Sequence, residues 1–83
     1  MTHVIVERNF GAPVSDGDLQ AVTAKLKNCL GVFHARWVRT YVAADRTRGI
    51  CEFEAPDLES VRSLQREAGA PFERVWAADV INH

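Results

Sequence analysis

A chain of 83 residues has room for one domain, 1–83, with one core. Hydrophobic residues make up 47% and charged residues 25%, the balance of a folded rather than a disordered chain. Ten Lys+Arg stand against eleven Asp+Glu for a net charge of −1, which excludes the basic footprint of a nucleic-acid or anionic-membrane partner.

From the N-terminus, His3–Phe10 is β-branched and apolar, and Gly11-Ala12-Pro13 closes it as a strand exit. Ser15 followed by Asp18 has the spacing of a capping box, and Leu19, Val22, Leu26 and Leu30 recur at steps of three and four. The spacing predicts an amphipathic helix ending near Gly31. Phe33–Ala43 and Arg48–Glu54 read as the arms of a β-hairpin around the polar stretch 44–47. Pro56-Asp57 opens a second helix with Leu58, Val61, Leu64 and Ala68 on one stripe, Gly69 past its end and Pro71 beyond. Phe72–Ile81 forms the last strand.

This order is βαββαβ, so the expected fold is α+β and ferredoxin-like: an antiparallel sheet with two helices on one face. Strands one and three lie in the middle, and the other sheet face is left uncovered. No stretch approaches the roughly 20 apolar residues of a membrane span, and nothing near Met1 reads as a signal peptide. Cys29 and Cys51 lie 22 positions apart and form no thiolate metal motif. They are expected as free thiols in a reducing cytoplasm, Cys51 as inert core. A domain of this size buries only about 60–65% of its unfolded surface, which favours a homodimer.

A hairpin loop at 44–47 pairs Tyr41 with Ile50, Arg39 with Glu52 and Trp37 with Glu54. Alternation along the strands then places all six on the open face. His3, Ile5 and Glu7 of the first strand join them, as do Trp76 and Ala78 of the last. Large aromatics exposed together mark an interface, and Arg39–Glu52 is expected as a directly opposed salt bridge. Glu7, Glu52 and Glu54 exceed the single arginine read beside them. Such a surplus raises a carboxyl pKa or recruits a cation.

Imidazole together with carboxylate suits borderline divalent ions such as nickel, zinc or copper. The candidate ligands are His3, Glu7 and Glu54, with His34 and His83 as further donors, although both also read as solvated surface histidines. No HxxH, HxH or HExxH spacing occurs, so a site needs several strands or two subunits. A second reading is an enzyme of the dimeric α+β barrel type, with Glu7 or Glu52 as general acid or base. Its pocket, lined by Trp37, Arg39, Tyr41 and Trp76, would take a small apolar or aromatic substrate. The five scattered glycines form no phosphate-cradling loop, and no GxSxG elbow is present.

Val6-Glu7-Arg8, Thr40-Tyr41-Val42 with Asp45-Arg46, Cys51-Glu52-Phe53-Glu54-Ala55-Pro56-Asp57 and Arg66-Glu67-Ala68-Gly69 together resemble a family of small bacterial ferredoxin-like proteins. Its described member is a nickel-binding, nickel-responsive dimer. The run from Cys51 to Asp57 is the most specific part of the likeness, which spans nearly the whole chain. The resemblance implies a ferredoxin-like homodimer with divalent nickel at its surface.

Overall fold

A computed structural model describes residues 1–83. The elements are β1 (Thr2–Asn9), α1 (Asp16–Cys29), β2 (Arg36–Val42), β3 (Arg48–Ala55), α2 (Leu58–Ala68) and β4 (Arg74–Ala78). The four strands form one antiparallel sheet in the order β2-β3-β1-β4, the ferredoxin-like arrangement. The molecule is a slab 33 × 32 × 17 Å, so its two broad sides are the helix layer and the bare sheet.

Both helices begin on side-chain caps. Ser15 Oγ accepts from the Asp18 amide at 3.1 Å, and Asp57 Oδ1 accepts from the Ser60 amide at 2.7 Å. Each cap satisfies a helix N–H that has no partner within the helix. Gly69 ends α2 at φ 66, and the next amide, of Ala70, returns to the Gln65 carbonyl at 2.9 Å. That left-handed position suits a residue without a Cβ.

The core is the layer between sheet and helices. Val4 and Val6 of β1, Cys51 and Phe53 of β3, Val75 of β4, Leu26 of α1, and Val61 and Leu64 of α2 are buried there. The helices differ in depth. Val61, Leu64, Gln65 and Ala68 of α2 are all buried, whereas Leu26 alone is buried in α1. The N-terminal half of α1 therefore stands off the sheet, with Leu19 and Val22 half-buried.

The second strand is shorter than the sequence pattern suggests. Residues 30–34 form a turn rather than strand, held by the His34 amide donating to the Gly31 carbonyl at 3.2 Å. His34 sits in that turn at φ 54 and is exposed. The last strand also ends early, at Ala78. No helix is long and apolar enough to cross a membrane.

The hairpin register holds from Val42 back to Arg39: Tyr41 faces Ile50, Thr40 faces Cys51 and Arg39 faces Glu52. It then shifts at a bulge between Trp37 and Arg39, and Trp37 pairs with Phe53 instead of Glu54. One extra residue, Val38, reverses the facing of everything before it. The expected open-face Trp37 is thus corrected. Its ring lies on the helix side, stacked on Phe53 with centroids 5.4 Å apart and planes at 20°.

Candidate functional site: the uncovered sheet face

Outward-facing side chains of the sheet form three rows across the strands. One row runs Arg36, Glu54, His3, Ala78; the next Arg39, Glu52, Ile5, Trp76; the third Tyr41, Ile50, Glu7, Arg74. The structure therefore brings His3, Glu7, Glu52, Glu54, Arg39, Tyr41 and Trp76 to one face, as the strand alternation requires. Trp37 is absent from it, so Tyr41 and Trp76 share this face without the third aromatic expected beside them.

The expected surplus of negative charge is also corrected. Glu54 meets Arg36 at 3.2 Å, Glu52 meets Arg39 at 3.6 Å and Glu7 meets Arg74 at 3.9 Å. Arg36 reaches Glu54 because of the bulge, and Arg74 reaches Glu7 because the two residues pair across β1 and β4. The Trp76 indole N–H also donates to Glu7 Oε2 at 2.7 Å. The Arg36 hydrogen bond, followed by its charge, holds the Glu54 carboxyl below its ordinary range.

The donors read as metal ligands are only partly gathered. His3 Nε2 lies 3.2 Å from Glu52 Oε2, each side chain 17% exposed. Glu52, read from the sequence as an acid or base, is thus the carboxylate that touches His3. The directly opposed Glu54 turns to Arg36 instead. A diagonal cross-strand neighbour is within reach of a long side chain, so this contact was available from the register. Glu7 lies four residues along β1 from His3, about 13 Å away, and serves Trp76 and Arg74. His34 occupies the turn before β2, and His83 is exposed beyond β4. No group of three or more His, Cys, Asp or Glu side chains is placed to hold a metal ion. One chain therefore supplies a His–carboxylate pair, not a complete coordination sphere.

A family model described as "Nickel responsive protein SCO4226-like" matches residues 5–77. The chain belongs to this family. Among solved structures, SCO4226 from Streptomyces coelicolor A3(2) superposes with a TM-score of 0.86 at 11% identity, over 96% of this chain and 99% of that one. At that identity the likeness shows the fold. No curated protein matches the chain.

Proposed function

We propose that the protein is a nickel-responsive homodimer in which two sheets pack with their uncovered faces together, and that it works in the cytoplasm with Cys29 and Cys51 as thiols. The observation that carries this reading is the His3–Glu52 contact on an unshielded face in a chain of a nickel-responsive family. Nickel(II) accepts imidazole and carboxylate donors. His3 and Glu52 are one chain's contribution to a site that a second copy completes, with Glu54, His34 and His83 as the further donors available.

The face suits self-association. Tyr41, Ile50 and Trp76 are exposed large apolar groups there. Three carboxylates matched by three arginines leave no net charge to repel a second copy. One broad side of a 33 × 32 Å slab is also large enough for the roughly 800 Å² per partner that a standard interface buries.

Calorimetry with Ni²⁺ on tag-free protein, paired with sedimentation, tests both halves. The expected result is saturable binding in the micromolar range that His3→Ala weakens by at least about tenfold, on a dimer that Ile50→Glu dissociates. Absence of binding below about millimolar Ni²⁺, or an unaltered isotherm for His3→Ala, refutes the metal reading. A wild-type monomer refutes the dimer.

A further inference from the structure

The helix side of the sheet carries a second, unrelated feature. Beneath the raised half of α1 lies a cleft of about 230 Å³, walled chiefly by Leu19, Val22, Trp37 and Val42, with Arg8 among its lining. Arg8 alternates inward with Val4 and Val6 on β1 and is only 4% exposed.

Its guanidinium has no acidic partner. Nη1 donates to the Pro71 carbonyl at 2.9 Å and Nη2 to Gln65 Oε1 at 2.6 Å, both neutral acceptors, and none of the chain's ion pairs includes it. Arg8 is the one buried arginine of the chain. A buried cation without a counter-charge is costly, and a guanidinium has five N–H donors to place. Trp37, whose side chain contributes to the cleft wall, has its Nε1 buried without an acceptor. No acidic side chain lines the cleft. Its lining is mostly apolar, with the Thr23 and Thr40 hydroxyls as neutral polar groups and Arg8 as its one charge.

We infer that this cleft binds a small monocarboxylic acid, with the carboxylate on Arg8 and the apolar body between α1 and β2. A carboxylate matches the planar guanidinium fork and supplies the missing acceptors. One cation in apolar surroundings favours a monoanion over a phosphate dianion, which would keep an uncompensated charge. The volume equals about eight waters at roughly 30 Å³ each. Protein interiors pack more closely than liquids, at about 0.75 against about 0.5–0.6, so the same space holds roughly ten heavy atoms, below the range of drug-sized pockets. The site lies on the opposite side of the sheet from His3 and Glu52, so it stands or falls separately from the nickel reading.

Metal-free protein titrated with octanoate, 1-octanol and inorganic phosphate tests the inference by calorimetry and proton–nitrogen NMR. Octanoate is expected to bind saturably, one per chain, at least about tenfold more tightly than the alcohol. The Trp37 indole N–H and the Arg8 guanidinium signals should shift while the Trp76 indole does not. Arg8→Gln removes the preference for the acid. Val22→Trp, which keeps Arg8 and fills the cleft, abolishes binding of both, and this second variant decides the matter if Arg8→Gln does not fold. Lack of saturation by about 10 mM octanoate, equal binding of acid and alcohol, tighter binding of phosphate, or an unaffected Val22→Trp variant overturns the proposal.

Discussion

Trp37→Ala distinguishes the two sides of the sheet in one measurement. The indole is half-buried on the helix side and stacked on Phe53. Truncating a fully buried Trp costs about 3–5 kcal/mol, and the aromatic pair itself contributes about 0.5–1.5 kcal/mol. Partial burial places the expected loss at about 2–3 kcal/mol. A domain of this size has roughly 4–12 kcal/mol in all, from about 0.05–0.15 per residue. With a urea slope near 1 kcal/mol/M, the unfolding midpoint should fall by about 2–3 M, by the same amount at every protein concentration. Trp37→Phe keeps the stacking and removes the unpartnered indole N–H, so its loss should stay below about 1.5 kcal/mol. A Trp37→Ala loss within about 0.5 kcal/mol, the ordinary surface value, would refute the bulge and the inward ring together.

Arg36→Ala should let the Glu54 carboxyl return toward its ordinary value of 4.5, followed by carboxyl-carbon NMR. Because the folded value is depressed, Glu54 adds stability above its unfolded pKa and loses it as pH falls through the folded one, so the variant's stability should vary less with pH in acid. Asp57 is likewise held below its ordinary value by the Ser60 amide and then the Ser60 hydroxyl. Asp57→Ala should lower Tm by about 5 °C at neutral pH, with the gap to wild type closing in acid as the cap protonates. Gly69→Ala, at φ 66, should cost about 1 kcal/mol by denaturant unfolding.

The fold was legible because each level of the sequence agreed. Ser15 and Asp57 are caps, Leu19, Val22 and Leu26 have helical spacing, and Val4, Val6, Cys51 and Phe53 share one strand parity. The open face was legible as far as that parity held. It failed at Val38, since nothing in Arg36-Trp37-Val38-Arg39 announces a bulge, and one inserted residue exchanges the expected Trp37 for Arg36 opposite Glu54. The Arg74 partner of Glu7 is not legible in the sequence, because only the register of β4 against β1 brings them together. Arg8 is different in kind. Its inward facing follows from alternation with Val4 and Val6, but its lack of an acidic neighbour depends on three segments meeting: β1, α2 through Gln65, and the loop at Pro71.

Strand β1 alternates strictly between the two broad sides of the slab, with His3, Ile5 and Glu7 outward and Val4, Val6 and Arg8 inward. Eight residues are thus a party wall between two surfaces of different chemistry, hydrogen-bonded along both edges to β3 and β4. Any occupant that slid or twisted this strand from one side would carry the residues of the other with it. Glu7 and Arg8, neighbours in the chain, therefore belong to opposite surfaces, one paired with Arg74 and Trp76 and the other with Gln65 and Pro71.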